Sequence, residues 1–80
     1  MMISIELRDR GASPAPDELE IYVDPKGLEV LLFQLKLLAE GKTDHVHLMS
    51  EEWGGTHLSG NATTTGNTPV HHMKIALKTL

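Results

Sequence analysis

Five histidines in a chain that has no cysteine are the residues with the most chemistry to offer. His45 and His47 flank a valine in HVHLM, His71 and His72 are adjacent, and His57 stands apart. On an extended segment, residues two apart emerge on one face with Cα atoms about 6.5 to 7 Å apart, so His45 and His47 can converge on a single ligand. If the strand carrying His72 pairs antiparallel with them, His72 joins that face and His71 points the other way. His45, His47 and His72 could then approach a tetrahedral zinc, with water or a carboxylate completing the shell. The plainer expectation is that these are half-exposed strand histidines titrating near pH 6.5. It is favoured, because the sequence has no HExxH and no cysteine pair. No cofactor is therefore expected, zinc being the one candidate. Neighbouring imidazolium charges repel, so such a cluster is sensitive to pH without any metal.

The second chemically suggestive stretch is EEWGG, where the only tryptophan, Trp53, precedes Gly54 and Gly55. Glycines there permit a positive φ or the close approach of another backbone. The indole can lid one end of the core, or stand out as a binding anchor of the kind that carries much of an interface's energy. A chain with so few aromatics can hardly spare one from its interior, which favours the lid.

Catalysis finds less support. Ser50 with His47, and Ser59 with His57, each supply two members of a hydrolase triad, but no GxSxG elbow accompanies either. Glu51 and Glu52 adjoin, so on an extended chain they point apart and make no acid/base pair. The expectation is a protein that is not an enzyme.

These residues need elements to hold them. Met1, Ile3, Ile5 and Leu7 alternate with Ser4, Glu6 and Arg8, the pattern of a half-buried strand over about 2–8. A turn-rich stretch, DRGASPAPD, leads to a second strand over 19–23, where Leu19, Ile21 and Val23 alternate with Glu20 and Tyr22. Asp24-Pro25 is a helix start and Gly41 a stop, giving a helix over 25–40. Leu28, Leu31, Leu32, Leu35, Leu38 and Ala39 form its core face. Gly27 is a weak point there, costing up to about 1 kcal/mol relative to alanine. Val30, Phe33 and Leu37 make a second apolar stripe, facing solvent or a second copy in a homodimer. Strands over 44–50 and 69–79 follow, separated by a polar loop, 51–68, that is longer than compact domains usually leave unstructured.

The expected fold is α+β, with order β-β-α-β-β: one mainly antiparallel four-stranded sheet and a single helix packed on one face. Glu6, Arg8, Glu20, Tyr22, His45, His47, Met49, His72 and Lys74 then share the open face. Eighty residues allow one domain, 1–80, with an aliphatic and methionine core, since aromatics are only 4%. The formal charge of −4 and the lack of a basic run argue against nucleic acid. The opening MMISIELRDRG carries neither a signal-peptide centre nor a membrane span, so a cytoplasmic protein is expected.

HVHLMSEEWGGTHLS and the later GNTPVHHMKIAL, preceded by GLEVLLFQLKLLAEG, resemble a small immunity-protein family of bacterial polymorphic toxin systems, Immunity protein 32. The resemblance covers Gly27 to Leu80 and is weak before that. It implies a binding protein that neutralises a partner toxin, with His45, His47, Trp53, Gly54, Gly55 and His72 at the motif positions. Two departures fall in the long loop: His57 stands where an acidic residue is expected, and NATTT reads as an insertion. A mildly acidic protein of this kind would meet a basic toxin faster.

Overall fold

The computed structural model describes residues 1–9 and 18–78. Residues 10–17 of the first loop, residue 79 of the expected last strand and the final residue 80 lie outside them. The period-two segments pair as a hairpin: β1 (Ile3–Leu7) runs antiparallel to β2 (Leu19–Val23), with Ile5 opposite Ile21. α1 (Pro25–Ala39) starts where the Asp24 carboxylate accepts the Gly27 amide at 2.6 Å, and it ends before Gly41, whose φ is 71°. β3 (His45–Met49) follows. No helix among the described residues is long and apolar enough to cross a membrane.

The α+β class with a single helix therefore stands, but the described residues hold five strands rather than four, in two antiparallel sheets rather than one. The expected strand over 69–79 divides into β4 (Thr68–Pro69) and β5 (His72–Ala76). β4 extends a three-stranded sheet ordered β2-β1-β4, while β5 pairs with β3 in a sheet of two. The Val70 amide donates to the Ile5 carbonyl at 2.7 Å, and the next carbonyl, of His71, accepts from the Ser50 amide at 2.9 Å. The chain thus changes partner between two consecutive residues. The apolar alternation slips by one residue there, since Val70 and Met73, three apart, both pack on the core, so a single period-two strand over 69–79 does not fit the chain.

Ile3, Ile5, Leu38, Val46, Leu48 and Leu58 form the core, flanked by Val23, Val30, Leu31, Val70, Met73 and Ile75. Leu58 belongs to the segment expected to be a loop. It bridges to Ser50, and the following amide, of Ser59, donates to Ile3 at 2.8 Å, so the middle of that segment is fastened between the two sheets.

The helix is rotated from the face that its leucines suggest. Gly27 and Leu38 are buried, and Val30, Leu31 and Leu37 are half-buried. Leu28, Leu32 and Leu35, expected in the core, are exposed. Of the outward stripe Val30, Phe33 and Leu37, only Phe33 stays exposed. The cause is Gly27, where a Cβ would collide with the Met2 carbonyl. The first turn of α1 lies directly on the backbone that enters β1, and this contact sets the rotation of the whole rod. A glycine that costs helix propensity is thus the packing device. Gly27→Ala should destabilise the protein by about 1 to 3 kcal/mol, the range for overpacking, rather than gain the fraction of a kcal/mol that propensity alone predicts; urea titration checks it.

Glu6, expected on the open face, and Ser4, which alternates with the core residues on the same side, are both 0% exposed. Segment 61–67 folds over them. The Ser4 hydroxyl donates to Glu6 Oε2 at 2.6 Å, as do the Thr63 amide at 2.7 Å and hydroxyl at 2.8 Å. Asn67 Nδ2 donates to Glu6 Oε1 and to Glu20 Oε1, both at 2.9 Å, while its Oδ1 accepts the Asp9 amide at 2.8 Å. Burial pushes the Glu6 carboxyl upward, but the Ser4, Thr63 and Asn67 donors outweigh it and bring the group from 4.5 to about 2.

Because the folded value lies below the unfolded one, the stabilisation is complete above about pH 4.5 and is lost as pH falls toward 2. On the order of 3 kcal/mol is at stake. Thermal melts between pH 7 and pH 3 should show this acid limb for the wild type and a flatter one for Glu6→Gln, which is already weakened at neutral pH.

Candidate functional site

β3 alternates strictly, with Val46 and Leu48 in the core and His45 and His47 exposed. In the antiparallel register, His47 faces Lys74 and Met49 faces His72, so His47 and His72 are diagonal neighbours on the outer side of the two-stranded sheet. Their rings stack at 5.0 Å, 24° from parallel, and His45 meets His47 edge-on at 5.0 Å. The three histidines expected on one face are together there.

Their nitrogens do not point at a common centre. His47 Nδ1 lies 2.7 Å from His72 Nε2, and His45 Nδ1 lies 2.6 Å from Asp44 Oδ1. Among the described residues, no group of three or more histidine, aspartate or glutamate side chains is arranged to hold a metal ion. The expected zinc geometry of His45, His47 and His72 is therefore not present: diagonal placement stacks two of the rings and turns their nitrogens toward each other. A ring nitrogen can accept only when unprotonated, so this contact requires at least one neutral imidazole. Partial desolvation, then the nearby His45, His72 and Lys74, hold His47 below its usual value.

Trp53 closes a three-residue turn of 3-10 helix, Glu51–Trp53. Ser50, fully buried, anchors it: its carbonyl accepts the Trp53 amide at 3.0 Å and the Gly55 amide at 2.8 Å. Gly54 takes a left-handed φ of 88°, and a Cβ on Gly55 would run into the Met49 backbone. The two glycines have different duties, one of conformation and one of clearance. Together they direct the indole outward, and Trp53 is 59% exposed. The expected lid is not observed, because Leu58 closes that part of the core instead.

The indole lies parallel to the His71 ring at 6.2 Å and is tilted against His72 at the same distance. A chain of rings thus runs His45, His47, His72, Trp53, His71. His71, which strict alternation sends to the opposite face, belongs to this chain of rings as well. Where the chain changes sheet, its ring turns to the Ser50 hydroxyl, 2.7 Å from Nδ1, and sits 3.4 Å from Glu52. The adjacent HH pair signalled it only in part, since alternation sends neighbours to opposite sides.

Ser50, His71 and Glu52 have the residue types of a hydrolase triad but not its geometry. The hydroxyl and the carboxylate approach the same nitrogen, and the hydroxyl is buried. A triad needs them on opposite nitrogens and the nucleophile open to substrate. His57 is half-buried and is not part of the ring chain.

Comparison of the chain with protein-family models, with curated proteins and with solved structures finds no match.

In a proton NMR titration His47 should have its midpoint below 6.5. Its charged form is less favourable folded than unfolded, so the stability tied to it is complete at higher pH and declines as pH falls through the histidine range. His72→Ala removes one covering ring and one neighbouring charge, and should move the His47 midpoint upward.

Proposed function

We propose that this chain is a protein-binding module of the immunity type, which neutralises a bacterial toxin by covering its working surface. The observation that carries the reading is Trp53, more than half exposed yet fixed against His71 and His72 at the edge of a histidine-bearing sheet. A rigid aromatic on a surface loses little entropy when a partner covers it, which is why tryptophan is over-represented among residues that dominate interfaces. The sequence resemblance through HVHLM and WGG supports the toxin class of partner. The charge of −4, with Glu51 and Glu52 beside the indole, suits a basic partner and would speed encounter more than deepen affinity.

The mechanism needs no bond-making. The turn from Ser50 to Gly55 presents the indole, the paired strands present His45, His47 and His72, and contact with the partner would exclude its substrate.

Co-expression with the product of the adjacent reading frame tests this. The wild-type chain should restore growth and bind the purified product. Trp53→Ala should weaken binding by roughly 30-fold or more, the effect of losing a dominant contact of about 2 kcal/mol. Failure of the wild type to protect or to bind, or full binding by Trp53→Ala, would falsify the proposal.

A further inference from the structure

We infer that the outer edge of β2, with the exposed flank of α1, is a homodimer interface formed by antiparallel addition of β2 to its copy in a second chain. The argument begins with hydrogen-bond parity. Arg8 donates to Glu18 and Asp24 to Met2 across the β1/β2 pair, so residues 18, 20, 22 and 24 turn their backbone groups inward. Leu19, Ile21 and Val23 consequently aim their N–H and C=O groups away from β1. β2 ends its sheet, and among the described residues nothing pairs with that edge.

The edge is unguarded as well as open. Leu19 is 53% and Ile21 48% exposed, with no lysine or proline in the strand. The free edge of β5, by contrast, carries His72 and Lys74, the sort of residues that discourage pairing. The one charge within β2, Glu20, lies on the other side of the strand, held by Asn67.

A two-fold axis through Ile21 gives a register that uses every outward group. Ile21 pairs with its copy and Leu19 with Val23 of the second chain, each pair exchanging two hydrogen bonds. In the same register Glu20 stands opposite a tyrosine, Tyr22. Sliding the strands by two residues would instead set Glu20 against Glu20, which is unfavourable. The strand is therefore self-complementary in one alignment.

Apolar surface accompanies it. Leu7, Leu19 and Ile21 lie on the helix-bearing side of the sheet, in phase with Ile5, and Leu28, Leu32 and Leu35, within about 60° of one another at helical spacing, are exposed on α1. Six such half-exposed aliphatic side chains amount to roughly 500 Å², at the upper range of apolar patches on monomers. With the strand's own backbone this approaches the ~800 Å² per partner of a standard interface. The ring surface of β3 and β5 belongs to the other sheet and is left free, so a dimer would offer it twice. Neither reading depends on the other.

Light scattering after size exclusion, over a range reaching high micromolar, should give twice the chain mass of 8.8 kDa. Ile21→Pro removes an outward N–H and the Ile21 side chain while sparing the β1–β2 hydrogen bonds, and should halve the mass while keeping the circular dichroism of the fold. Leu32→Glu should weaken association at least tenfold, whereas Phe33→Glu, on the opposite flank, should leave it intact. If Ile21→Pro fails to fold, Leu19→Lys reads the same edge and should also give the monomer. A wild type that stays monomeric throughout, or a folded edge variant that remains dimeric, overturns the inference. So does a dimer split by Phe33→Glu and not by Leu32→Glu.

Discussion

The carboxylate of Glu6 is the group around which the rest is arranged. It lies in the middle of the central strand, on the side away from the helix, and it satisfies its oxygens almost wholly from residues some 57 to 61 positions later. An ion withdrawn from water is tolerated only where donors replace the lost hydration. Ser4, Thr63 and Asn67 do so, and in doing so they close segment 61–67 over the sheet. Asn67 then draws Glu20 and the Asp9 amide into the same network, which ties both strands of the hairpin to the loop. From that fixed point the chain enters β4, passes Ile5, and reaches β3 with His72 placed beside His47.

Ser50 plays the corresponding part for the second sheet. Its amide, carbonyl and hydroxyl are all engaged, to His71, to the tryptophan turn and to the His71 ring. Buried polar groups so fully matched resist displacement, because each lost partner leaves another group unsatisfied. The aromatic surface consequently stands on a frame with little freedom, although most of its rings are open to solvent. Gly54 and Gly55 complete that frame by letting a chain held at Ser50 turn the indole away from the core.

A good deal of this was legible in the chain. Alternation located the strands, Asp24-Pro25 and Gly41 bounded the helix within a residue, and the spacing of His45 and His47 put both rings on one outer face. Other features were not, Leu58, the helix face and Glu6 among them. Leu58 looked like part of a polar loop because its neighbours are glycine, serine and threonine, yet it fills the core. The helix face differs from the one that periodicity gives, because five leucines outweigh one glycine in the pattern, while the packed structure is governed by the close approach that Gly27 permits. Glu6 reads as solvent-facing because a charged residue in a period-two strand normally is, yet it is buried.

What the sequence by itself determined is local: where backbone turns, which segments extend or coil, and which side chains of one strand share a face. These follow from steric limits and from periodicity within a few residues, and they need no knowledge of distant parts. Only the tertiary structure decided which strands neighbour which, how the helix is rotated, that Trp53 faces outward, and that segment 61–67 buries an ionised carboxylate. Each of those depends on groups far apart in the chain meeting at hydrogen-bonding or van der Waals distance. The division of the segment into β4 and β5 is the sharpest case, since the change of apolar phase between Val70 and Met73 marks a break but does not say which strand receives each half.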